Sequence, residues 1–238
     1  MAHEDQSGAI GYFSDGAAAF AQHYDARDNF KERHLLWRML LDRHVVGGKT
    51  AVDLGCGSGI FSFHLAEKGL RVSAVDGSAE MLALCRQRQA ELGLANVTFQ
   101  QGVLPELVGV SLAPADVLLA SSVLEYVAEL EETLALLGRL TRPGGLLFLS
   151  MPNALCLNRQ YQRLKYRLGR GFAVYAHIRH FTTPRRLSAQ LRGHNFQLLE
   201  YHYYDHAWRV SRLTRKLRLP PALTEDLFVG VWRKSAEA

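Results

Sequence analysis

The segment Ala51-Val52-Asp53-Leu54-Gly55-Cys56-Gly57-Ser58-Gly59 carries the strongest chemical signal in the chain. A short apolar run ends in a carboxylate, and a glycine-rich turn follows it. Glycines let the backbone take left-handed dihedrals and approach a ligand closely. The helix start beyond the turn offers free N–H groups. The spacing is G-x-G-x-G, unlike the G-x-G-x-x-G of dinucleotide turns, and Asp53 stands just ahead of the first glycine. A carboxylate facing such a cleft suits an ammonium group better than a phosphate. A second acid, Asp76, ends the run Val72-Ser73-Ala74-Val75. There it is placed for a ribose diol, whose hydroxyls donate to carboxylates. Its position beside Gly77-Ser78 equally suits a role at a helix start. Met81 fits an adenine face or the core with about equal weight.

These residues need strands to end at them and helices to begin beyond them, and the hydrophobic pattern supplies both. Strands are expected at Thr50–Leu54, Arg71–Val75, Val97–Gln101, 116–120, Leu146–Ser150, 196–202 and 228–232. Helices are expected at 17–24, 30–44, Gly59–Lys68, Ser78–Leu92, Leu130–Leu140 and Pro184–Arg192. Strand–helix alternation of this kind implies right-handed crossovers and a parallel sheet. The alternation lapses at Pro152–His180, a basic and aromatic stretch read as an insertion or lid, and the link 205–226 has no clear pattern.

The ordered segments resemble class I S-adenosylmethionine-dependent methyltransferases. The Asp53 turn looks like their motif I, and Asp76 like its successor. Asp116-Val117-Leu118-Leu119-Ala120-Ser121-Ser122-Val123-Leu124-Glu125-Tyr126-Val127 is similar to the fourth-strand motif, and Leu140-Thr141-Arg142-Pro143-Gly144-Gly145-Leu146-Leu147 to the turn before the fifth strand. The resemblance covers about residues 50–153, in order and spacing, and is nearest to the small-molecule branch with its ubiquinone-type O-methyltransferases. It implies a Rossmann-like α/β fold: a mostly parallel seven-stranded sheet, helices on both faces and a substrate-side insertion at 152–183. Residues 1–48 would form a helical cofactor cover ahead of the domain at 49–238.

The resemblance also implies S-adenosylmethionine as cofactor, contacted by Asp53, Gly55, Cys56, Gly57, Gly59, Asp76, Gly77, Met81, Gly102, Val103, Ser121 and Tyr24. Three positions depart from the family pattern. Val103 stands where an acid often binds the adenine amine, so only a backbone contact is expected. Tyr126 replaces a common histidine, and Ser121-Ser122 replace bulkier residues. For a general base the candidates are His180, then His177 and Tyr126. Glu125 is read as the partner of a basic neighbour rather than a residue facing substrate. Tyr12 belongs to the expected cover or to a packed helix.

Composition bounds the function. The chain has 238 residues with 48% hydrophobic and 21% charged, close to the globular average. Cys56, Cys85 and Cys156 are odd in number and widely spaced, against a disulfide framework or a zinc site, so no metal is expected. The first residues lack a secretory pattern, and a cytoplasmic enzyme is expected. The net charge of +5 is uneven: residues 159–186 hold Arg159, Arg163, Lys165, Arg167, Arg170, Arg179, Arg185 and Arg186 and no acid, and residues 209–218 add more. An anionic or aromatic small-molecule acceptor is the leading expectation, with methylation at oxygen or nitrogen by a monomer or homodimer. A tRNA-modifying enzyme that uses the basic insertion is the first alternative, and a non-catalytic cofactor-binding protein the second.

Overall fold

The computed structural model describes residues 2–17, 28–47, 49–205 and 216–236. Residues 18–24 of the helix expected at 17–24, Tyr24 with them, and the basic residues 209–215 lie outside the described residues. Seven strands form one sheet in the order β3-β2-β1-β4-β5-β7-β6. They are β1 Thr50–Leu54, β2 Arg71–Asp76, β3 Val97–Gln101, β4 Ala115–Ser121, β5 Thr141–Pro152, β6 Phe196–Tyr204 and β7 Leu227–Lys234. The first five are parallel, and β7 runs antiparallel to both β5 and β6. The expected parallel alternation thus holds through β5 and gives way at the C-terminal end. Among the described residues the helices are α1 Ala2–Asp15, α2 Asp28–His44, α3 Ile60–Glu67, α4 Ala79–Leu92, α5 Leu130–Leu140, α6 Leu157–Arg167, α7 Pro184–Arg192 and the single turn α8 Pro221–Thr224. None of them is long and apolar enough to cross a membrane.

The central strands are apolar on both sides because both faces are covered. Along β4, Val117 and Leu119 join a cluster with Trp37 and Leu40 of α2 and Phe61 and Leu65 of α3. Leu118 and Ala120 join the opposite cluster, with Leu134 and Leu137 of α5 and Leu187 and Leu191 of α7. Asp53 interrupts this pattern as a buried carboxylate at the end of β1. From β1 the chain builds outward to β2 and β3 on one side and to β4 and β5 on the other. The crevice above the carboxyl ends of β1 and β4 is therefore the topological switch point, where open α/β sheets bind ligands.

Several elements differ from the sequence expectation. Helix α1 carries Gly8 and Gly11 and lacks a clean period. It is held instead by tertiary contacts, such as Gln6 Nε2 donating to the Leu104 carbonyl at 2.9 Å. Strand β5 begins earlier than expected, because Thr141 already pairs with Ala115 before a bulge. The stretch Pro152–His180 contains helix α6 and a 3₁₀ turn at Ala173–Ala176. It closes at its base, where Asn153 bridges to Thr182 and Ala154 N–H donates to the Thr182 carbonyl at 2.8 Å.

Glu200 of β6 ties the end of α2 to the sheet edge. It accepts from Arg43 at 2.9 Å and His202 at 2.6 Å and also pairs with His44. Burial works against this carboxylate, but the hydrogen bonds from His202, His44 and Arg43 outweigh it and hold the group down to about 2. A depressed carboxylate stabilises the fold above its unfolded value of about 4.3 and loses that contribution as pH falls through the folded one. Glu200→Gln is expected to lower Tm at pH 7 by a few degrees, about 1 kcal/mol for a partly exposed cluster. The difference from wild type should shrink between pH 5 and pH 2; thermal melts across that range check it.

Candidate functional site

Strand β1 delivers Asp53 to the base of the crevice. The side chain is 1% exposed. One oxygen, Oδ2, accepts from Ser62 Oγ of α3 at 2.5 Å, and the carboxylate borders the cavity. Burial pushes its pKa up to about 6, aided by the neighbouring charge of Asp76, with the Ser62 bond and Arg33 acting the other way. Such a carboxylate gains from an arriving cation.

The turn after β1 depends on its glycines. Gly55, Gly57 and Gly59 all have positive φ, at 66°, 52° and 73°. At Gly55 a Cβ would also sit 2.5 Å from Val123 Cγ2, so backbone from β1 and side chain from the segment after β4 already touch there.

Asp76, at the end of β2, has both oxygens engaged. Oδ2 accepts from Gly57 N–H at 2.7 Å and Oδ1 from Ser78 N–H at 2.9 Å. Burial raises its pKa and the backbone bonds from Ser78, Gly57 and Gly77 oppose that rise. Ser78 itself caps α4, accepting from Met81 N–H at 3.1 Å. The two expected roles, facing the cleft and ordering the helix start, are thus divided between neighbours.

A cavity of about 900 Å³ opens over these groups, at the upper end of the roughly 300–1,000 Å³ usual for small-molecule sites. One half is lined by Asp53, the turn 55–58, Asp76–Ser78, Met81 and Gly102–Leu104. Helix α1 lies over this half. A Cβ on Gly77 would meet Ile10 Cδ1 at 2.8 Å, and Ser14 Oγ donates to Ser78 Oγ at 2.8 Å. The other half is lined by 121–123, Glu125–Val127, Tyr204, Asp205 and, from the insertion, Arg159, Phe172, Val174, Tyr175 and Ile178. Arg33 of α2 joins the halves, donating to Ser121 Oγ at 2.6 Å and its carbonyl at 3.2 Å.

Glu125 does not pair as expected. It is 2% exposed and on the cavity wall, and among the described residues its buried Oε2 has no hydrogen-bond partner. Burial pushes its pKa up to about 7, against its own backbone N–H and the charges of Arg159 and Arg33. A group poised near neutrality takes up or releases a proton readily. Next to it, burial raises the Tyr126 phenol well above its usual range, so it stays protonated and keeps its O–H to donate. Its ring meets Phe13 of α1 edge-on at 5.3 Å.

The histidines lie elsewhere. His180 places Nε2 2.8 Å from the Val127 carbonyl and His177 packs against Tyr12, with ring centroids 5.7 Å apart; neither lines the cavity. Of the expected cofactor residues, Asp53, Gly55, Cys56, Gly57, Asp76, Gly77, Met81, Gly102, Val103 and Ser121 share the cavity wall, and Gly59 shapes the turn just behind it. Arg33, Ile10, Phe13 and Glu125 also line this cavity, and none was expected there from the sequence.

This arrangement has known relatives. A family model described as a methyltransferase domain matches residues 46–192. The chain belongs to the methyltransferase domain family. The ubiquinone biosynthesis O-methyltransferase of Caulobacter vibrioides is 33% identical over 106 residues, 44% of this chain and 42% of the relative. The enzyme of the same name from Erwinia tasmaniensis is 31% identical over 157 residues, 64% of this chain and 63% of the relative. The chain thus spans less than two thirds of the length of these curated relatives. Among solved structures, magnesium protoporphyrin IX methyltransferase from Synechocystis PCC 6803, with bound S-adenosylhomocysteine, superposes with TM-score 0.72 at 19% identity, covering 97% of this chain and all of that one. The 1,6-didemethyltoxoflavin-N1-methyltransferase of Burkholderia thailandensis gives 0.66 at 17% identity, over 99% and 91% of the two chains. These two establish the shared fold.

Proposed function

We propose that this methyltransferase transfers a methyl group from S-adenosylmethionine to an oxygen or nitrogen of a small molecule. The observation that carries the reading is the two-part cavity at the switch point of the sheet, with Asp53, the glycine turn and Asp76 in one half and Glu125 in the other. The names of the relatives and of the structural neighbours support the same class of reaction.

The residues fit the cofactor. Asp53, buried and raised toward neutrality, offers a carboxylate to the ammonium of the methionine part. The left-handed glycines allow main chain to lie where a Cβ would intrude. Asp76 accepts the ribose hydroxyls, with Gly77 beside it. Met81, Gly102 and Val103 border the adenine end, Val103 through its backbone. Residues 2–15, in α1, cover this half.

When bound, the cofactor supplies a methyl group already activated by its sulfonium. The chain's task is alignment and exclusion of water. Phe13 and Tyr126, in edge-on contact, add apolar wall to the cavity and help exclude water. Glu125, on the cavity wall, takes the proton of a hydroxyl or ammonium acceptor, the role expected of His180. Tyr126 donates a hydrogen bond to the acceptor. The acceptor is a small anionic or aromatic molecule, as the apolar and basic lining from the insertion suggests.

Calorimetric titration with S-adenosylhomocysteine tests the cofactor half. Wild type should bind, and Asp76→Ala should weaken binding roughly 10–100-fold, as expected for losing charge-assisted hydrogen bonds. Equal affinity in the two proteins would remove Asp76 from the site.

A further inference from the structure

The insertion places one cation inside the cavity. Arg159 stands in the first turn of α6, and its side chain is 12% exposed. A guanidinium is costly to bury without partners, and among the described residues only one edge of this one is satisfied. Nε donates to the Asp226 carbonyl at 3.1 Å, and Nη1 stands a long 3.5 Å from the Tyr175 hydroxyl. The nearest carboxylate oxygen, Asp226 Oδ1, is 3.9 Å from Nε. That carboxylate is already occupied: Asn158 Nδ2 donates to both oxygens at 2.9 and 3.0 Å, and Cys156 Sγ lies 3.0 Å from Oδ1. Nη2 makes no hydrogen bond among the described residues, and Arg159 lines the cavity wall.

Around it the insertion supplies an apolar frame of Phe172, Val174 and Ile178, with the Tyr175 ring centroid 6.0 Å from the guanidinium carbon. A planar guanidinium with one free face in a partly desolvated apolar pocket is a receptor for a planar oxyanion. The charge of that oxyanion is bounded by its neighbours. Glu125 and Asp205 line the same half, so a phosphate dianion would meet two acids, whereas a carboxylate carries a single charge over two oxygens.

We propose that Arg159 is the specificity residue of the acceptor half and binds a carboxylate on the methyl acceptor, with an apolar or aromatic body lying against Phe172, Val174, Tyr175 and Ile178. The proposal rests on the reading of this half as the acceptor's seat. It makes the acceptor a carboxylic acid whose methylated group lies elsewhere in the molecule, near Glu125.

The test compares benzoate with its neutral counterpart benzamide, by nuclear magnetic resonance titration of the protein saturated with S-adenosylhomocysteine. Wild type is expected to bind benzoate at least tenfold more tightly. Arg159→Gln should bind the two equally while keeping its affinity for S-adenosylhomocysteine. Arg159→Lys, which keeps a cation beside Asp226, should retain a preference reduced severalfold. Equal binding of the two probes by wild type, or an undiminished preference in Arg159→Gln, would overturn the proposal. Failure of S-adenosylhomocysteine to bind wild type would contradict the methyl-transfer reading instead. The two probes titrated against the free protein then still decide the subsite: a benzoate preference supports it, and equal binding overturns it.

Discussion

Glu125→Gln is expected to slow methyl transfer roughly 10²–10⁴-fold, the usual worth of a positioned general base, and to make the protein more stable at the same time. Both effects come from one cause. The carboxyl is 2% exposed with an unpartnered oxygen, and burial raises it to about 7. A carboxyl whose folded value is raised contributes fully below its unfolded value, about 4.3, and loses that contribution as pH rises through 7. At pH 8 the buried charge thus costs the fold about 3–4 kcal/mol. The glutamine isostere removes that charge, so Tm should rise by roughly 5–10 °C at pH 8 and by much less at pH 5. The wild-type rate should climb with pH through about 7, and the variant's should not. Such opposition between stability and activity is common at functional sites. A variant with full kcat would exclude Glu125 as the base. An equal Tm change at both pH values would exclude the charge as its cause.

Gly55→Ala is expected to abolish cofactor binding while leaving the domain folded. Gly55 has φ 66°, which costs a residue with a Cβ about 1–2 kcal/mol. The added carbon would stand 2.5 Å from Val123 Cγ2 and 2.6 Å from Val123 Cβ. Val123 cannot swing away as a long side chain would, so the strand-to-helix turn or the segment after β4 must shift, at about 1–3 kcal/mol more. Both border the cavity. Affinity for S-adenosylhomocysteine should fall at least 100-fold, about 2.7 kcal/mol. Gly69→Ala is the control: its φ of 88° carries the same kind of strain, but open space surrounds it. It should lower Tm and leave affinity unchanged. Equal affinity losses in the two variants would point to general destabilisation.

The two carboxylates of the cofactor half were legible because their positions are local. Asp53 and Asp76 each end a short apolar run and precede a turn, and the strands at Thr50–Leu54 and Val97–Gln101 fall where alternation and breakers put them. What the chain brings from afar was not legible. Arg33 reaches Ser121 across 88 residues. Helix α1 is marked by no period and is held by Gln6, Ile10 and Ser14 on the turns after β2 and β3. Glu125 looked like an ion-pair residue because basic side chains abound in the sequence; its unpartnered state emerges only when the fold is closed. Arg159 was one arginine in a basic stretch until Asn158 and Cys156 took the carboxylate it would otherwise engage. His180 was attractive by its neighbours in sequence, but its ring meets the Val127 carbonyl. The strand at 228–232 was legible, but its antiparallel direction was not, because the link before it carries no clear pattern.

The most direct measurement is transfer of labelled methyl from S-adenosylmethionine into a cell extract fractionated into metabolites, RNA and protein. The account predicts label in the metabolite fraction, in compounds that bind an anion exchanger as carboxylic acids do, and its loss with Glu125→Gln. Label in RNA or protein, or no transfer by a protein that binds S-adenosylhomocysteine, would contradict it.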